Sequence, residues 1–176
     1  VTKILTPPKK PKLGLFNIHS ALEKVFALSQ VDKDNLLILK RDYDPSIPEI
    51  NGDEDLFIQA ILNIVKNAQQ ALLHTSNPVI TIKSRISYNQ PINGNLHATV
   101  CEVSIIDNGP GIPSDIQEQV FFPMVSSKQD GSGLGLSISQ DIIRIHGGSI
   151  SFNTKSGETV FSIVIPIKLG SGVKSA

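Results

Sequence analysis

The chain has no tryptophan and a single cysteine, Cys101, in 176 residues. With no second cysteine an internal disulfide cannot form. One thiol inside the strand-like run TVCEVSII reads as a small core residue, not a nucleophile. Aromatic residues make up only 5% of the chain, so stacking platforms for single-stranded nucleic acid are not expected. An excess of one charge is missing too. The 16 basic and 16 acidic side chains cancel, and no basic stripe is visible, which argues against a nucleic-acid surface. No apolar run approaches the roughly 20 residues that span a bilayer, and no signal peptide is recognisable. A cytoplasmic domain without membrane contact is expected.

What is present suffices for one domain with a substantial core. Residues 1–15 are rich in lysine, and Pro7, Pro8 and Pro11 block a regular helix, so they read as a linker. Residues 169–176 read as a loose tail, leaving 16–168 as the folded domain. The best-marked helix runs from about Asp53 to Leu73. Leu56, Ile61, Ile64, Val65, Ala68 and Leu72 supply its buried contacts, and Asp53, Glu54 and Asp55 suit its first turn. Its other side carries Gln59, Asn63 and Asn67 at i, i+4 and i+8, a row of amides beside an oily surface.

Around that helix, Asn17 caps a helix over 18–30, whose His19 reads as an ordinary surface histidine. Strands are expected at 35–42, 79–84 and 99–107, with 43–48 as a proline-containing turn and 85–98 as a hairpin tip or long loop around Asn93-Gly94. Ser114 and Gln117 fit a capping box for a short helix over 114–121. A third long helix, 134–146, ends at Gly147-Gly148, with His146 as its C-terminal residue. A final hairpin turns at Ser156-Gly157. The sum is a two-layer α/β sandwich, a mixed and mostly antiparallel sheet covered on one face by about three helices.

Three separated pieces carry chemistry: Asn63 with Asn67; the strand end IIDNGPG, which delivers Asp107 into a glycine turn; and DGSGLGL, a glycine run entering a helix. Glycines let a backbone approach an anion closely, and the free amides of the following helix can hold phosphate oxygens. Taken alone the glycine run is equally a helix-entry turn, for it lacks the GxxxxGK[ST] ending of the common phosphate loop.

Together the pieces resemble the ATP-binding catalytic domain of bacterial sensor histidine kinases, in the superfamily of gyrase, Hsp90, histidine kinases and MutL. NIVKNAQQA resembles that family's asparagine box, IIDNGPGI its first glycine box, FFPMVSSK its phenylalanine box and lid entry, and GSGLGLSIS its second glycine box. The lead-in TPPKKPKLGLFNIHSALEKV and the short lid are similar to NtrB-type nitrogen-regulation kinases. Ser126-Ser127 departs from the family's usual pair of threonines but keeps the hydroxyls.

The resemblance implies a Bergerat-type ATP-binding fold with ATP (ADP as product) and Mg²⁺ as cofactors. It implies that Asp107 reads the exocyclic amine of adenine. Asn67 would ligate Mg²⁺ and Asn63 contact metal-bound water or phosphate. Gly109, Gly111 and Ile112 would shape the base pocket. Gly131, Ser132, Gly133, Leu134 and Gly135 would form the phosphate end of the lid, with Lys128 neutralising terminal phosphate charge. Phe121 and Phe122 would pack the lid base. The reaction implied is transfer of the γ-phosphoryl to a histidine on a separate dimerisation domain, then to an aspartate of a response regulator, in nitrogen regulation. Partners implied are that phosphoacceptor domain, the regulator and a PII signal protein.

Asn63 bears on the reaction type. The superfamily's ATPases carry a water-activating glutamate at the equivalent place, and an amide is no general base. None of His19, His74, His97 or His146 is followed by the acidic and basic residues expected of the phosphoacceptor. The chain is therefore expected to be the catalytic part of a larger kinase. The alternatives left open are an anti-sigma-like serine kinase or protein-binding module, a gyrase- or MutL-type ATPase switch, and a degenerate scaffold.

Overall fold

The computed structural model describes residues 10–29, 36–123 and 135–168. Among them, strands β1 (Gly14–Phe16) and β3 (Ile50–Gly52) pair antiparallel as a small ribbon. Strands β2 (Ile38–Asp42), β4 (Val79–Ile92), β5 (Asn95–Asp107), β6 (Ser149–Lys155) and β7 (Glu158–Pro166) form the main sheet in the order β2-β4-β5-β7-β6. Only the β2–β4 pair is parallel. Three helices, α1 (Ile18–Ser29), α2 (Glu54–Ala71) and α3 (Ser137–Ile145), cover one face, and α2 packs against both others. The expected sandwich is the observed one.

Its core follows from strand alternation. Ile80 and Ile82 of β4, Val103 and Ile105 of β5, and Phe161, Ile163 and Ile165 of β7 point to the helices and are buried. From α2 they meet Phe57, Ala60, Ile61, Ile64 and Val65. Burying such a side chain stabilises by about 1.5–3 kcal/mol relative to exposure. Cys101 faces the same core, and burial pushes its thiol up to about 12, as suits a core residue.

Several expectations are corrected. Gly14 and Leu15, assigned to the linker, already belong to β1, because Phe16 is anchored on Phe57 with ring centroids 5.6 Å apart. Lys12 N–H also donates to Asp53 Oδ2 at 2.8 Å. Of the two readings of 85–98, the hairpin turning at Asn93-Gly94 holds and the long loop does not. β4 and β5 stay in register from Ile80↔Asp107 to Ile92↔Asn95, and the chain reverses at Asn93 (φ 49°) and Gly94 (φ 82°). Two left-handed residues give the turn whose twist matches the strands. The capped helix over 114–121 is only a 3-10 turn at Gln117–Gln119, because Gln117 Nε2 donates to the Ile112 carbonyl at 2.8 Å and no side chain caps the turn. The strand expected at 35–42 is shorter, and Asn35 lies outside the described residues. α2 ends at Ala71, so a turn separates it from Asn77-Pro78. α3 begins at Ser137, with Leu136 buried just before it.

Two of the half-buried histidines, His146 and His19, tie helices in place. His146, at the C-cap of α3 as expected, accepts Asp53 N–H through Nε2 at 2.9 Å. Its proton therefore sits on Nδ1, 2.7 Å from the Ile142 carbonyl. A Cβ at Gly52 would lie 2.5 Å from that ring, so this junction demands glycine. His19 is not the plain surface residue expected. It stacks on Tyr43 at 4.7 Å, and its Nε2 lies 2.9 Å from Ser84 Oγ on β4. Asp44 N–H donates to the same hydroxyl at 3.1 Å.

Burial lowers the His19 pKa from 6.5, against the opposing pull of Asp44. The unfolded chain therefore takes up that proton first as pH falls, so stability is present above 6.5 and is lost as pH drops toward the folded value. Replacing His19→Gln should flatten the fall in melting temperature between about pH 7.5 and about pH 5.5. An unchanged slope would refute the assignment.

Candidate functional site

The amide face of α2 exists because the helix is started and seated by other groups. Asp53 caps it, with Oδ1 accepting Leu56 N–H at 3.1 Å, and Glu54 and Asp55 occupy the first turn, where the backbone dipoles favour carboxylates. With Phe57, Ala60, Ile61, Ile64 and Val65 in the core, Asn63 and Asn67 are left half-buried one turn apart, and Gln59 is exposed. Neither asparagine side chain hydrogen-bonds to any described residue. Ser139 Oγ, fully buried on α3, donates to the Ala60 carbonyl at 2.9 Å. That bond fixes the exit of the glycine run, Gly135-Leu136, against α2 just before Asn63.

Asp107 ends the central strand. Across the sheet it belongs to a row of one residue per strand, Ile80–Asp107–Thr159–Thr154, on the helix-covered face. It is only 3% exposed, and no cation among the described residues pairs with it. Burial raises its pKa from 3.8, partly offset by the Gly109 N–H donated to Oδ1 at 2.9 Å. Its second oxygen has no partner among the described residues.

The glycine turn brings that acid to α2. A Cβ at Gly109 would lie 2.9 Å from Asp107 Oδ1 and 3.3 Å from the Ala71 carbonyl oxygen. Ala71 is one helical turn beyond Asn67, so the acid's turn lies near Asn67, while Asn63 lies a further turn back at the middle of α2. Gly111 has φ +90°, and a Cβ there would lie 2.7 Å from the Lys155 carbonyl oxygen. Ile112, partly buried against the core, has its N–H held by Thr154 Oγ1 at 2.9 Å and its carbonyl by Gln117. Asn108 stitches the turn to β4, accepting Val79 N–H through Oδ1 at 2.8 Å and donating Nδ2 to the Asn77 carbonyl at 3.0 Å.

The described structure sets Asp107 and Gly109 against the end of α2 beyond Asn67, ties Gly111 and Ile112 to β6, and leaves Asn63 at the middle of α2 and Gly135 exposed at the entry to α3. Lys128, Gly131, Ser132, Gly133, Leu134 and the pair Ser126-Ser127 lie outside the described residues. Phe121 is partly buried, 5.9 Å from Phe152, but Phe122 is 60% exposed, so only the first of the expected pair packs against the core. Phe121, Phe152 and Phe161 already complete that aromatic cluster. Asn108 and Thr154 were not singled out from sequence, and Gln117 only as a helix cap. The signal for Thr154 was available, as a hydroxyl on the inward side of an alternating strand.

No group of His, Cys, Asp or Glu among the described residues has the makings of a metal site. The donor set fits Mg²⁺ held through an amide oxygen and a ligand's phosphates, because this hard ion takes oxygen ligands and keeps several waters. No helix among the described residues is long and apolar enough to cross a membrane.

Two stability effects follow. Asp107→Asn keeps the acceptor for Gly109 but removes a buried charge, so it should raise the ligand-free melting temperature at pH 7. The gain should shrink as pH falls toward 3.8, where the parental acid is also neutral. Gly111→Ala should cost about 1–3 kcal/mol in denaturant unfolding, for the left-handed backbone alone.

A profile described as "Histidine kinase-, DNA gyrase B-, and HSP90-like ATPase" matches residues 52–169. The chain is 44% identical over 167 residues to "Sensory histidine kinase/phosphatase NtrB" of Vibrio alginolyticus, covering 95% of this chain and 48% of that protein. It therefore spans about half the length of such relatives. The nucleotide-free catalytic domain of histidine kinase ThkA superposes with a TM-score of 0.73 at 28% identity, over 89% of this chain and 96% of that one. ThkA in complex with the response regulator TrrA gives 0.70 at 26% identity, over 90% of this chain and 42% of that one. With the family's profile covering most of the chain and its fold present, the protein belongs to the histidine kinase-, DNA gyrase B- and HSP90-like ATPase family, closely related to the NtrB sensor kinases.

Proposed function

We propose that this chain is the ATP-binding catalytic unit of an NtrB-like sensor histidine kinase. The observation that carries the reading is a buried carboxylate, Asp107, one of whose oxygens has no partner among the described residues. It lies on a turn packed against the end of α2 one helical turn from Asn67, with Asn63 a turn further back; neither amide side chain is hydrogen-bonded among the described residues. A ligand with an amine donor at one end and phosphates at the other matches both.

In this reading Asp107 Oδ2 accepts from the exocyclic amine of adenine, while Oδ1 stays committed to Gly109. Gly109, Gly111 and Ile112 wall the base. Asn67 offers its amide oxygen to Mg²⁺, and Asn63 a hydrogen bond to phosphate or metal-bound water. When bound, the metal would neutralise phosphate charge. Lys128 and the backbone of Gly131, Ser132, Gly133, Leu134 and Gly135 serve the phosphate end. An amide at Asn63 cannot deprotonate water, which favours transfer to a nucleophile brought by another domain over hydrolysis. Catalysis then consists of alignment and charge stabilisation.

The acceptor is a histidine of a dimerisation domain of the same parent protein, to which residues 1–15 would lead. The onward acceptor is an aspartate of a response regulator, for which the ThkA–TrrA complex is the precedent. A nitrogen-regulation pathway with a PII signal protein follows from the NtrB likeness.

Calorimetric titration should show Mg²⁺-dependent ATP binding that Asp107→Asn weakens about tenfold or more, the loss of a charge-assisted hydrogen bond in a buried site. Unchanged affinity in that variant would remove the adenine reader. The chain alone should incorporate little or no label from γ-labelled ATP, and addition of an NtrB-type phosphoacceptor domain should restore incorporation. High stoichiometry in the isolated chain would contradict transfer to a separate domain.

A further inference from the structure

We infer that Thr154, on the edge strand β6, is a positioning residue for the base end of the nucleotide site, acting through the backbone of Ile112 and the hydroxyl of Thr159. The inference rests on the ATP-binding reading above.

A threonine hydroxyl offers one donor and two acceptor sites. Thr154 Oγ1 accepts Ile112 N–H at 2.9 Å and lies 2.8 Å from Thr159 Oγ1. Thr159 is 3% exposed and directly opposite Asp107 in the β5–β7 register. One side chain therefore holds the far end of the glycine turn and fixes the hydroxyl beside the adenine-reading acid. The near end of the turn is held by Asp107 itself, through Gly109 N–H. Between these two anchors Gly111 is pressed to the Lys155 carbonyl, so the turn and β6 move as one body. Gln117 secures the Ile112 carbonyl, which leaves Thr154 as the holder of its N–H. Without that hydroxyl, a part-buried N–H and the Thr159 hydroxyl each lose a partner, and the wall facing the base is free to shift relative to Asp107. Thr154 touches no reacting atom in this scheme. Its effect falls on recognition of the base, with the phosphate end of the site unaffected.

The test compares ATP with inosine triphosphate, which carries a carbonyl where adenine has its amine, in calorimetric titrations of the whole chain. Thr154→Val keeps the shape and β-branching but not the hydroxyl. It should weaken ATP binding about three- to tenfold, the worth of one net hydrogen bond. Inosine triphosphate affinity should change less, so the preference for ATP narrows, and amide exchange at Ile112 should accelerate. Thr154→Ser should restore all three. Equal weakening of both nucleotides would mean a merely structural role and would overturn the inference. So would an unchanged preference for ATP. Two outcomes separate this inference from the reading it rests on. If the parent chain binds no ATP, both fall. If the parent binds ATP, Asp107→Asn loses it and Thr154→Val does not, only the role of Thr154 falls.

Discussion

A carboxylate buried at the sheet's centre, with no cation among the described residues paired to it, is the constraint around which this molecule is arranged. Asp107 sits at the end of the central strand, where burial disfavours its ionised form and a single backbone N–H, from Gly109, partly compensates. A structural role would call for a fuller set of partners. Among the described residues the carboxylate receives Gly109 N–H alone, which fits a group whose remaining partner arrives with a ligand. The fold tolerates that cost because the surrounding rows of isoleucine and phenylalanine are well buried.

The neighbouring elements act to keep that acid near the amides of α2. Gly109 lets the turn lie against the last carbonyls of the helix, and Gly111 lets it lie against the backbone of β6. Asn108, Thr154 and Gln117 then hold the turn from three sides with side-chain hydrogen bonds. On the opposite flank, Ser139 pins α3 to α2 and His146 pins the end of α3 to the start of α2. α2 is thus held at both ends and along its side, and the site inherits that rigidity. The kinship with NtrB and with the ThkA catalytic domain gives this frame its chemical meaning.

Where sequence reasoning went astray, long-range partners were the reason. Along 85–98 Ile86, Tyr88 and Ile92 share one face, but the polar run Asn89-Gln90-Pro91 masks that alternation, and it is the pairing of each strand with the other and the Asn93-Gly94 turn that set the register. His19 has no sequence neighbour that would bury it. Tyr43 and Ser84 come from other elements to do so. Gln117 satisfied a local capping pattern but found a better-placed acceptor at Ile112.

The sequence by itself determined the layer architecture, the amide row on α2, the acid at the end of β5 and the glycines after it, because each is a matter of local period and residue type. Tertiary structure alone decided which of these meet. It placed the Asp107 turn against the end of α2, made β6 its outer support and left one carboxylate oxygen without a partner among the described residues. Those outcomes depend on register between strands distant in the chain, and on backbone approaches that only glycine permits. Neither is encoded in any single stretch of residues.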